Sequence, residues 1–240
     1  MRTALAVMLF AACAPDSTTY PIGGGPGGGA GGNGSGTGSG ATTDANMDVI
    51  EGLVCVLPDP RDFATCLTTG AGDITVAVGT GTPAVTNDDG TFTIDTPSGT
   101  NLVWTLSGSA VMTSTIGFST SAVIPAIQTM TFETLANENG IVYDPTQGTI
   151  IGQVLHAGSG FADATAVATP VGIYDTFYAS PNDQGDWLDA EATTTFGTFL
   201  IAGLTPGTET LTLTPGSGSA ATVSNVPSGS GVITFVTAAM

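Results

Sequence analysis

The 240-residue chain carries 20 acidic residues against two arginines and no lysine, a formal net charge of −18. Nucleic-acid binding relies on Lys and Arg to neutralise phosphates, so no nucleic acid is expected as a partner. Charged residues are 9% of the chain, against about 25% in an ordinary soluble protein, and β-branched Thr and Val, which favour strands, fill the space. Length allows one or two domains. Apolar residues are 41%, and their alternation calls for a packed core rather than disorder.

The first segment, MRTALAVMLFAAC, begins with Arg2, continues as an apolar run from Ala4 to Ala12 and reaches Cys13. As a helix that run rises only about 14 Å, far short of a bilayer core of about 30 Å. A charged start, a short apolar stretch and small residues at its end make a secretory signal. The ending FAAC, Phe10–Cys13, resembles the bacterial lipoprotein signal, with Phe10 where Leu is usual. The resemblance implies cleavage before Cys13 and acylation of its thiol and new amine; the rival is an ordinary signal with an unrelated cysteine. More than one acyl chain anchors stably where one would not. Ala14 follows the cysteine in place of Asp, which by the same resemblance points to the outer membrane, facing periplasm or cell surface. The expected partner at this end is thus the membrane itself, through the lipid.

If Cys13 takes lipid, Cys55 and Cys66 are an even pair in an oxidising compartment, and a disulfide between them is expected. It closes a loop of about a dozen residues, worth roughly 2–3 kcal/mol. Two cysteines without a nearby histidine fall short of a four-ligand metal site. Between the two ends lies PIGGGPGGGAGGNGSGTGSGATT, Pro21–Thr43, which cannot bury a core and reads as a flexible tether. Its root-mean-square reach is about 25–30 Å, and its stretched length up to about 80 Å.

From Met47 the pattern changes to short alternating strands: DVIEGLVCVL, DITVAV, GTFTID and NLVWTLSG. Such runs between turn signals indicate an all-β sandwich. No window carries a persuasive amphipathic helix; the best short candidate is TFETLANENG, Thr131–Gly140, closed by Asn139-Gly140 as a helix terminus is. A second series begins at GTIIGQVLHAG, Gly148–Gly158. Gly152 stands to its strand as Gly52 does to the first, an offset of 100, and Gly197 matches Gly90 at an offset of 107. Preserved order with altered spacing is what a duplicated module shows.

The most similar phrases are TNDDGTFTIDTPSGTNLVWTLSG, Thr86–Gly108, and TTTFGTFLIAGLTPGTETLTLTPG, Thr193–Gly216. Each reads as a hairpin. Phe92 and Ile94, and later Phe199 and Ile201, fall on one face at period two and are expected inside, with Trp104. In TPGT, Thr205–Thr208, Pro206 and Gly207 suit a type II turn with φ > 0 at Gly207.

The second phrase resembles the carboxypeptidase regulatory-like domain, a transthyretin-like sandwich of about seven strands. The matching residues are Thr193, Gly197, Phe199, Gly203, Leu204, Pro206, Gly207 and Thr208, with Gly152 and Val154 on the opening strand. Glu209 stands where the family usually has Tyr, and a long acidic insert precedes Thr193. The first series fits less well, since DTPSGT lacks the Gly-Leu pair. The resemblance implies two tandem transthyretin-like sandwiches, an appendage without catalytic residues. The expected organisation is therefore a signal at 1–12, a lipidated cysteine and tether at 13–45, a first sandwich at 46–140 and a second at 141–240.

Residues for catalysis are scarce. His156 is the sole histidine, with Ser159 three residues on, and no lysine can act as base; no enzyme and no catalytic residue is expected. Asp88 and Asp89 read as turn residues. The insert SPNDQGDWLDAE, Ser180–Glu191, crowds Asp183, Asp186, Asp189 and Glu191, hard oxygen ligands of the kind Ca²⁺ takes, though without EF-hand spacing. Tyr174, Phe177, Tyr178 and Trp187 cluster beside it. Trp187 and Tyr178 would stack on a glycan, or they would pin the insert to the sheet. The expectation is a non-catalytic envelope lipoprotein with structural or protein-binding modules. The alternative is a carbohydrate- or calcium-dependent module at residues 174–191.

Overall fold

A computed structural model describes residues 47–67, 71–97, 102–119, 123–181, 187–188 and 190–240. The signal, Cys13 and the tether lie outside them. The fold is all-β with one short helix. Seven strands come first: β1 (Met47–Leu57), β2 (Thr75–Val78), β3 (Ala84–Val85), β4 (Thr91–Pro97), β5 (Leu102–Ser107), β6 (Ser114–Ser119) and β7 (Val123–Ile127). The helix α1 (Thr129–Glu138) follows. Then come β8 (Gly148–His156), β9 (Ser159–Gly160), β10 (Ala164–Thr169), β11 (Phe177–Ala179) and β12 (Trp187–Leu188). The last four are β13 (Thr198–Leu204), β14 (Gly207–Pro215), β15 (Ala221–Ser228) and β16 (Ile233–Ala239).

Helix α1 lies within two residues of its expected limits at each end. It buries Phe132, Leu135 and Ala136, a stripe at helical spacing. Gly140 follows the Asn139 cap at φ +68, a conformation that glycine adopts without strain.

Duplication is visible in the ladders. β1 pairs β4 antiparallel and β7 parallel; β8 pairs β13 antiparallel and β16 parallel. Gly52 faces Phe92, and Gly152 faces Phe199. At Gly152 the reason is steric: a Cβ there would lie 2.1 Å from the Phe199 ring. The second sheet of each repeat is also alike, β2–β5–β6 in one and β10–β14–β15 in the other. Phe92, Ile94, Trp104, Phe199 and Ile201 are all buried, as their alternation requires.

The two repeated phrases are not hairpins. β4 and β5 belong to different sheets, and so do β13 and β14. Each phrase is an arch that carries the chain across the sandwich. Period-two alternation says which face a residue occupies, and it is blind to whether the next strand pairs beside or across the core. The turn differs too. The left-handed glycine is Gly203, φ +73, and Gly207 simply opens β14.

The sequence reading separates two sandwiches at residue 140; the structure splices them. One sheet runs β12-β11-β13-β8-β16-β6-β5-β2-β3, with β9 on β8. The joint is the parallel pairing of Ile233, Thr234 and Phe235 with Ser114, Thr115 and Ile116. Every residue of β13 is buried, because that half of the sheet is covered on both faces. Phe199 and Ile201 enter a core with Leu211 and Leu213 of β14. Leu200 and Ala202 enter another with Trp104, Phe132 and Phe63 of the first repeat. A strand buried on both faces reads as a continuous apolar run, which TFLIAGL is.

Candidate functional site

Two regions gather chemistry-bearing side chains: the acidic insert, and the loop that docks the first repeat onto the second. In the insert, β11 and β12 form a short ladder in which Tyr178 faces Leu188 and Ala179 faces Trp187. Tyr178 is 4% exposed and belongs to the core of the second repeat. Its hydroxyl accepts the Ala166 N–H at 3.0 Å, and burial pushes its pKa up. Trp187, also 4% exposed, enters the shared core on the other face. The two rings therefore form no common platform; each fastens one side of the insert. Asp183, Asp186 and Asp189 lie outside the described residues, and Glu191 is exposed. Among the described residues, no three His, Cys, Asp or Glu are grouped to hold a metal ion. The single histidine, His156, is exposed, with Nδ1 2.8 Å from the Met240 carbonyl oxygen.

Above the insert the chain is apolar and open. Val171 and Ile173 are 75% and 68% exposed, and Val142 is 74% exposed. Tyr174 ties the two segments together, its hydroxyl accepting the Val142 N–H at 3.0 Å.

The docking loop is closed by the expected disulfide, Cys55–Cys66. Pro58 and Pro60 turn it, and it projects Arg61 and Phe63 onto β13 and β16. Arg61, 3% exposed, forks onto Asp59 with Nη2–Oδ2 at 2.7 Å. It also donates to the Ser180 carbonyl at 3.4 Å and lies 5.3 Å from the Phe196 ring centre. The Thr198 hydroxyl donates to the Arg61 carbonyl at 2.8 Å. Phe63 meets Phe235 edge-on at 5.7 Å. Burial opposes ionisation of Asp59, but hydrogen bonds and charge from Arg61 outweigh it and hold its pKa below the ordinary aspartate value. Sequence reasoning missed this loop as an interface. The available signal was Arg61, the one Lys or Arg among the described residues, set in a proline-bent segment between two cysteines.

Glu209 on β14 is 1% exposed, and its Oε2 has no hydrogen-bond partner. Burial raises its pKa above the ordinary 4.5. A carboxyl raised in the folded state stabilises most below its unfolded pKa, and that contribution is lost as pH rises through the folded value. Glu209→Gln should therefore stabilise the chain at pH 7 by about 1 kcal/mol. The gain should fade as pH falls through the raised folded value and be gone below the ordinary 4.5; thermal unfolding of both proteins at pH 4 and 7 measures it.

No family model matches the sequence, and no curated protein matches it. Solved structures that are similar in part include two bacterial proteins. One is the Bacillus anthracis TIE protein, at 13% identity and a TM-score of 0.22, covering 81% of this chain and 34% of that one. The chain thus spans about a third of the length of that protein. The other is GBS52, the minor pilin of the gram-positive pathogen Streptococcus agalactiae, at 11% identity and a TM-score of 0.25, covering 80% of this chain and 94% of that one.

Proposed function

We propose that the chain is a non-catalytic cell-envelope lipoprotein whose two transthyretin-like repeats act together as a structural or protein-binding body. The observation that carries this reading is the splice of β16 to β6. It removes the free hinge that tandem domains ordinarily keep, so the repeats form one stiff unit at the end of a long tether. The open apolar residues Val142, Val171 and Ile173 supply a surface of the kind that marks protein contacts.

The anchor is tested directly. Cys13→Ser should abolish fatty-acid labelling and release the protein from the membrane fraction; a variant still labelled and still sedimenting with membranes would end the lipoprotein reading. Capture of envelope proteins on the immobilised chain tests the binding role. Calcium or a glycan that raises the unfolding temperature would move the function to the insert, since only a ligand of the native state stabilises it.

A further inference from the structure

β6 and β15 are the same strand in the two repeats. Ser114, Thr115, Ile116 and Ser119 face Leu106, Thr105, Trp104 and Leu102 of β5. At a constant offset of 107, Ala221, Thr222, Val223 and Val226 face Leu213, Thr212, Leu211 and Glu209 of β14. Both ladders shift register at the same step, between Trp104 and Leu102 in one and between Leu211 and Glu209 in the other. β6 uses its far edge to take in β16, and the Ile233 N–H donates to the Thr113 carbonyl at 2.9 Å. The far edge of β15 pairs with no strand among the described residues. Thr222, Ser224 and Asn225 there are exposed.

We propose that the outer edge of Ala221–Val223 accepts a parallel β-strand from a separate protein. The strand would alternate apolar and Thr or aromatic residues, as Ile233–Phe235 does against β6. The proposal rests on the protein-binding reading above and names its edge. Adding a strand to an open sheet edge is a general mode of peptide recognition, with main-chain hydrogen bonds supplying affinity. Within this fold it has already happened once, at the equivalent residues. In a parallel ladder the residues that offer both N–H and C=O to one neighbour alternate along the strand. With the Thr113 carbonyl engaged, the next is Thr115, and its counterpart is Thr222.

Among its described residues, a second copy of this chain offers neither β16 nor its counterpart β7 as a free strand in the right register. Its β16 is already held by β6. Its β7 is the counterpart of β16, but Val123 lies opposite Leu53, one step beyond Gly52. The docking residues of β16 lie opposite Thr149–Ile151, before Gly152. Counted back, the counterpart of Ile233 in β7 falls at Ser119, which belongs to β6. Charge also favours a different molecule. Arg61 is the one Lys or Arg among the described residues and is buried, so lysines flanking the incoming strand would meet an acidic chain without competition.

A synthetic peptide of the β16 sequence ITFVTAA, flanked by lysines, is the probe. On the intact chain it should slow hydrogen exchange of the Thr222 amide, the one N–H of Ala221–Val223 that faces the outer edge. Thr222→Pro, which removes an edge N–H, should weaken binding about tenfold, while Thr222→Ala should leave it unchanged. If Thr222→Pro does not fold, the exchange pattern of the unaltered chain decides alone. Faster exchange of the Ile233–Phe235 amides, which β6 now holds, would mean that the peptide displaces β16, and would overturn the proposal. An unprotected Thr222 amide, undiminished binding by a folded Thr222→Pro, or self-association that protects the same amide would overturn it as well. Capture of an envelope partner that leaves the Thr222 amide exchanging freely would end the strand site and leave the proposed function standing.

Discussion

Phe235→Ala should destabilise the chain by about 3–5 kcal/mol, the usual cost of truncating a buried phenylalanine. For a protein of this size, that lowers the unfolding temperature by roughly 10 °C. Phe235 is 2% exposed, pairs with Ile116 on one side and Ile151 on the other, and receives the edge of Phe63. Its loss therefore opens a void where three parts of the protein meet. The more telling expectation is that both repeats weaken together. Hydrogen exchange should accelerate in β5 and β13 alike, and calorimetry should show one transition. A variant in which only the second repeat loosens would show that the two halves unfold independently despite their common sheet.

Replacing Cys55 and Cys66 by serine should cost about 2–3 kcal/mol, the value for a loop of this length. The loss has a second component, because the loop also carries Arg61 and Phe63 onto β13 and β16. Amides near Thr198 and Ser180 should then exchange faster although neither residue touches the disulfide. A chemical reductant should reproduce the effect on the unaltered chain, which checks the serine variant. Arg61→Ala should cost less than the disulfide. Asp59 keeps 35% of its side-chain surface exposed, so water can solvate the carboxylate left behind. That penalty is present above the ordinary aspartate pKa of 3.8 and fades as pH falls through the lower folded value. Unfolding midpoints at pH 3 and 7 separate the two variants.

How much of this could be read in the residues depends on the range over which each signal acts. Strand identity and facing are local, so Phe92, Trp104 and Phe199 could be placed inside from alternation alone. The cysteine pair was equally legible, because loop length is local as well; the short helix showed only as a candidate, through its Asn139-Gly140 terminus, because three buried residues make too short a stripe to stand out. Arches and hairpins share one local pattern, so the repeated phrases suggested the wrong connection. The splice is a contact between residues more than a hundred positions apart, and ITFVT looks like any core strand. Its one trace is the unbroken apolar run of β13, whose Leu200 and Ala202 would be exposed if the second sandwich stood alone. Tyr178 and Trp187 were legible as neighbours, but the cross-strand register that sends them to opposite faces was not. Glu209 could be noted as odd for its place, and only the fold revealed that its carboxyl is shut in.

β16 comes latest in the sequence, yet it occupies the middle of the long sheet, with β8 on one side and β6 on the other. During synthesis the first repeat must therefore wait, its β6 margin bare, until β16 has been delivered. Order of manufacture and order of assembly run against each other here. The interval between them is the time when chaperones and proteases have their best access to the chain.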